Sequence, residues 1–201
     1  MGKILILNGS PRAPKSNSKH YAALFTKYCP APCDTQIITR RNHAELCKRM
    51  ADCSDLLFVF PLYADALPVG LLEFLRSLEE HLPERRPVVS VLINCGFQEV
   101  AQNEVAVEMM RLFCRRNGFR FGSVLMIGSG EAILESPFRF LVKRKIRRLA
   151  RSVARGLNLE LHTTMPLPKW LFRIASTLYW TEYGRRLGVS REQMQTPRIE
   201  E

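Results

Sequence analysis

The sequence predicts an α/β fold of three layers: a doubly wound sheet of five parallel strands between helices, followed by a helical C-terminal extension. Three observations predict it. Continuous apolar runs such as Lys3–Asn8 (KILILN), Asp55–Pro61 (DLLFVFP) and Pro87–Asn94 (PVVSVLIN) lack polar alternation, as strands covered on both faces require. Segments with helical spacing of apolar residues stand between them, so right-handed crossovers joining parallel strands are the natural connection. The length of 201 residues suits one such domain, whereas an eightfold strand–helix barrel takes about 250.

Taken in order, Lys3–Asn8 is the first strand, and Gly9-Ser10-Pro11 breaks it. Ser16-Asn17-Ser18 offers capping groups before a helix over Lys19–Tyr28, which Pro30 and Pro32 end. Thr35–Thr39 reads as a short strand and Ala44–Ala51 as a short helix. Asp55–Pro61 is the third strand. A helix over Gly70–His81 follows, with Leu71, Leu72, Phe74, Leu75 and Leu78 on its apolar side. Pro87–Asn94 is the fourth strand; Glu104–Asn117 is a helix that Gly118 stops. Phe121–Ile127 is the fifth strand, ending at Gly128-Ser129-Gly130, and Pro137–Leu157 is a long helix. These units make a domain over residues 1–160. Residues 161–201, punctuated by Pro166, Pro168 and Pro197 and holding both tryptophans, form the extension.

Composition excludes a disordered, collagen-like or low-complexity chain: 46% of residues are apolar and 24% charged. Thirty Lys and Arg against nineteen Asp and Glu give a net charge of +11 and a pI near 9.8. The opening apolar stretch is too short for a secretion signal, and no run approaches the roughly 20 residues of a membrane span, so the expectation is a cytoplasmic protein. Cys29, Cys33, Cys47, Cys53, Cys95 and Cys114 therefore read as free thiols. Their spacing lacks paired zinc knuckles, and no metal site is expected.

In an open parallel sheet, ligands bind beyond the carboxyl ends of the strands, near the point where strand order reverses. Three loops fall there. Gly9–Ser18 combines the hydroxyls of Ser10, Ser16 and Ser18, the Asn17 amide and the Arg12 cation with the start of a helix. That set suits a terminal phosphate, and it equally fits a plain polar turn with a serine cap. It is neither a dinucleotide fingerprint nor a Walker loop. Leu62–Val69 brings Tyr63, whose ring either stacks on a planar ligand or merely covers the sheet edge. Cys95–Gln102 brings Gly96, which lets a ligand approach the backbone, with Asn94 and Gln98 beside it; alone it reads as an ordinary turn.

At these residues the sequence resembles the flavodoxin-like NAD(P)H-dependent FMN reductases, a family that includes many quinone and azo reductases. ILILNGSPR followed by SNS is similar to the family's phosphate loop, and DLLFVFPLYADALPVGLLEFL to its second flavin loop. STLYWTEYGRRLGVSREQM resembles the C-terminal helix and turn of some members. The resemblance covers nearly the whole chain and implies a flavodoxin-like fold. It implies that Ser10, Ser16, Asn17 and Ser18 hold the FMN phosphate with Arg12 near it. Pro61, Leu62 and Tyr63 would border the flavin ring, and Asn94, Gly96 and Phe97 would close the other side. It also implies NAD(P)H as co-substrate and a small electron acceptor. No side-chain acid or base is needed, so no catalytic residue is assigned. The chain lacks the C-x2-C-x2-C cluster of some relatives.

Two alternatives are a non-catalytic FMN electron carrier and a flavin-free basic domain. The second rests on Arg139–Arg155, within a segment (Phe138–Leu157) that carries eight cations and no acid beside an apolar stripe. Such a helix either covers the sheet and faces solvent or meets a polyanion or an anionic membrane surface. The tail Pro166–Arg186, rich in Trp and Tyr, must bury that surface on its own domain, on a second subunit or at a membrane. A homodimer arm is the expectation adopted.

Overall fold

The structure, a computed structural model, describes residues 2–13 and 15–196. The end of the predicted extension, 197–201, lies outside them. In chain order the elements are β1 (Ile4–Asn8), α1 (Asn17–Tyr28), β2 (Cys33–Ile37), α2 (His43–Met50), β3 (Asp55–Pro61), α3 (Val69–Glu80) and β4 (Val88–Asn94). After a 3-10 turn at Val100–Asn103 come α4 (Glu104–Arg116), β5 (Phe121–Ile127), α5 (Arg139–Ala154), β6 (Glu160–Thr163), α6 (Lys169–Arg186) and α7 (Arg191–Gln195).

The strands form one parallel sheet in the order β2-β1-β3-β4-β5-β6. Order reverses between β1 and β3, where two crossovers leave in opposite directions. Side chains alternate across the sheet. Leu5, Leu7, Phe58, Phe60, Val91 and Ile93 meet α2, α3 and α4 in one buried core. The other parity, including Ile6, Leu57 and Leu125, is left to α1 and α5, which pack against each other and contribute Tyr21, Phe25, Val142, Ile146 and Leu149.

The sheet has six strands rather than five. β6 (ELHT) lies at the edge beside β5, with only Leu161 and Thr163 turned inward. Four alternating residues carry little periodic signal, which is why Leu161–Thr163 reads from sequence as part of the extension. β2 also begins two residues early. It pairs with β1 from Cys33 opposite Ile4, directly after Pro32, whose carbonyl accepts from the Ile4 N–H. The chain divides into two compact units that meet between Met165 and Pro166. In the second, α6 is followed by α7, whose start is a capping box of Ser190 and Gln193. No helix among the described residues is long and apolar enough to cross a membrane.

Candidate functional site

At the carboxyl end of β1, buried Asn8 accepts the Ser10 N–H on its side-chain oxygen at 3.0 Å and turns the chain. Two tight turns follow, closed by Ala13 N–H to Ser10 O and Lys15 N–H to Arg12 O. Ser16 then caps α1, its Oγ accepting from Lys19 N–H at 3.3 Å. The Asn17 and Ser18 N–H groups, in the first helical turn, have no intrahelical acceptor. No acid occupies that turn. Ser10 and Ser18 are buried, and Arg12 is exposed. The loop is thus a curl of donors around a helix N-terminus, with the exposed cation of Arg12 in it.

At the end of β3, Leu62 N–H donates to Asn94 O at 2.7 Å, and Tyr63 and Ala66 exchange N–H to O bonds at 3.1 Å. Ala64 and Asp65 between them both take left-handed backbone angles, with φ of 48° and 57°. Two successive non-glycine residues there cost on the order of 1–3 kcal/mol each. The turn leaves the Tyr63 ring 57% exposed. Opposite, after β4, Phe97 is 53% exposed. A methyl built on Gly96 would touch only the Glu131 side chain, at 3.6 Å, an ordinary van der Waals contact. The N–H groups of Ala64, Asp65, Gly96 and Phe97 have no protein partner among the described residues.

Asn94 occupies a different place from its neighbours. It is 5% exposed, and its amide donates to Ser18 Oγ at 3.3 Å and Phe60 O at 3.2 Å. It ties the first helix to the ends of β3 and β4 and faces inward. Asn17 is also engaged, donating from its amide to Glu131 O at 3.2 Å. What Asn17 offers a ligand is its backbone N–H.

A fourth loop, after β5, completes the site, and the sequence reading assigns nothing to it. Ser129 is left-handed (φ 54°) and donates its N–H to Phe97 O; Gly130 N–H donates to Cys95 O at 2.7 Å. The buried Tyr21 hydroxyl donates to Gly130 O at 2.8 Å. Burial, then the charges of Glu131 and Cys95, push that hydroxyl's pKa up, so it stays a neutral donor. The run Gly128-Ser129-Gly130 at a strand end was the available signal.

The six cysteines are free, and no group of three or more metal-ligating side chains occurs among the described residues. Cys29 is the unusual one. A hydrogen bond from Cys33 brings its thiol pKa down to about 7, helped by the Ala31 N–H and opposed by burial and Asp55. Cys33 moves up in exchange, and burial pushes Cys114 up to about 12. Because the thiolate is the nucleophile, iodoacetamide should label Cys29 first, its rate rising with pH through about 7. Peptide mapping after brief alkylation checks this; uniform labelling of the six would contradict it.

No protein-family model and no curated protein matches the sequence. Solved structures do match in fold. A NAD(P)H:quinone oxidoreductase from Methanothermobacter marburgensis superposes with a TM-score of 0.61 at 16% identity, over 75% of this chain and 94% of that one. An azoreductase from Bacillus anthracis gives 0.54 at 12% identity, over 77% of this chain and 100% of its own. A Streptococcus pneumoniae flavodoxin gives 0.56 at 12% identity, over 77% and 99%. With parallel strands in the order 2-1-3-4-5-6 and helices on both faces, the chain has the flavodoxin-like fold.

Proposed function

We propose that the protein is an FMN-dependent NAD(P)H oxidoreductase that passes hydride from a nicotinamide, by way of FMN, to a quinone, nitro compound or similar small acceptor. The observation that carries this reading is the acid-free curl of donors at α1, set at the sheet's switch point beside two exposed aromatic rings. Similar folds belong to proteins titled quinone oxidoreductase and azoreductase, which supports the reaction class.

The residues present fit the group. The Ser10 and Ser16 hydroxyls and the first α1 amides, those of Asn17 and Ser18, would hold a phosphate, assisted by the helix dipole and Arg12. Pro61, Leu62 and Tyr63 on one side and Gly96 and Phe97 on the other would border the ring system, with the unpartnered N–H groups of both turns available to its polar edge. FMN, when bound, supplies a ring that accepts and donates hydride. The chain binds and orients that ring, and Tyr63 and Phe97 offer flat surfaces that shield it from water. The nicotinamide pool such a reaction draws on is consistent with work in the cytoplasm.

An absorbance titration tests the proposal. Purified protein should take up FMN, and NADPH or NADH should then bleach the flavin bands, with colour returning on addition of a quinone. FMN uptake without bleaching would replace the enzyme by an electron carrier. No uptake would remove the flavin altogether.

A further inference from the structure

Charge on the two helical layers is unequal. The layer of α2, α3 and α4 mixes signs, with surface pairs Arg49–Glu45, Arg40–Glu73 and Arg111–Glu108. The layer of α1 and α5 does not. α5 carries seven Lys or Arg and no acid, and α1 adds Lys19 and Lys27, again with no acid. Among the described residues no α5 cation has an ion-pair partner. Arg147 lies over the Tyr28 ring, and Lys145 loses basicity to burial and to the crowding of Arg148 and Arg144. Phe140 stands exposed among these cations. The nearest acids in sequence are Glu135, four residues before the helix at the site end, and Glu160, six residues after it and already paired with Arg111.

A surface that holds so many like charges without compensation is matched by an anionic partner, and it repels a second copy of itself. The second unit supplies an independent observation. α6 exposes Trp170 (64%) and Leu178 (65%), with Leu171 and Ile174 between them at helical spacing. Arg173 and Arg185 lie on the same helix. A nucleic acid has no use for that aliphatic stripe. A lipid interface uses both features: headgroup charge for the cations, and the headgroup–acyl boundary for Trp and Leu.

We propose that the α1–α5 face docks the protein peripherally on membranes rich in anionic lipid headgroups, and that α6 enters the headgroup–acyl boundary of such a surface. Docking needs no flavin, so its failure and failure of the redox reading are separable.

The test uses the full chain with vesicles of phosphatidylcholine alone, and with about a third of the lipid replaced by phosphatidylglycerol. The protein should sediment with the anionic vesicles and stay in solution with the neutral ones. Each cation near such a surface contributes about fivefold to partitioning, so Arg144→Glu with Arg148→Glu should weaken it on the order of a hundredfold or more. Circular dichroism and FMN titration of that variant should match the parent. Both tryptophans of the chain lie in α6, so their emission reports this helix alone. It should shift to the blue on anionic vesicles. No sedimentation with anionic vesicles, or binding undiminished in the double variant, would overturn the proposal. Retention on duplex DNA without vesicle binding would replace it by a nucleic-acid reading. A blue shift that follows protein concentration without lipid would assign α6 to a second copy of the chain instead.

Discussion

Ser16→Asp is expected to leave the fold as stable as before, or slightly more so, while FMN affinity falls on the order of a hundredfold. Ser16 caps α1 through its side-chain oxygen, accepting from Lys19 N–H. Aspartate caps as well as serine, and a carboxylate at a helix N-terminus gains about 0.3–1 kcal/mol from the helix dipole. α1 has no acid in its first turn to compete with the new one. The same carboxylate lies where the phosphate would sit. A doubly charged phosphate at roughly 5 Å in a half-exposed site is repelled by about 2–3 kcal/mol. Thermal melting reads the first effect and fluorescence titration with FMN the second. Riboflavin, which lacks the phosphate, is the control, and its binding should be insensitive to the change. Equal FMN affinity in the variant and the parent would remove the phosphate from this loop, and with it the proposed flavin orientation.

That experiment targets a feature visible in the sequence, and the reasons for its visibility are physical. β1, β3, β4 and β5 are buried on both faces, so their interiors are apolar except for the small buried Ser90 and Ser123, and their limits are legible to within a residue. β2 (CDTQI) and β6 (ELHT) are edge strands, half-buried or alternating, and carry no such run; one reads two residues late and the other is missed. The Ser16 cap is local chemistry, so it shows in the sequence. The Tyr63–Ala66 turn does not. Its left-handed pair is Ala64-Asp65, where that geometry normally calls for Asn or Gly. The inward clamp of Asn94 and the loop after β5 are also hidden, because they consist of bonds between residues distant in the chain.

Gly130→Ala tests that hidden part. A methyl at this position would stand 2.8 Å from Asn94 Cβ, and 3.1 Å from both Asn94 Oδ1 and the Cys95 carbonyl oxygen. None of these is the free end of a flexible chain, so something must shift. Gly130 is held from two sides, its N–H by Cys95 O and its carbonyl by the buried Tyr21 hydroxyl. Displacing it strains both bonds and pushes on Asn94, whose amide donates to Ser18 at the start of α1. Overpacking of this kind costs about 1–3 kcal/mol, or several degrees of melting temperature for a chain of this size. FMN affinity should fall roughly tenfold as well, since preorganised donors are worth most when fixed. The comparison is Gly70→Ala in α3, where no atom lies within 4 Å of the added carbon. That variant should melt no lower than the parent and bind FMN equally. If Gly130→Ala lowers the melting temperature but leaves FMN affinity intact, the loop after β5 is scaffold alone. If both quantities fall together, the clamp through Asn94 links the packing of the sheet to the grip on the cofactor.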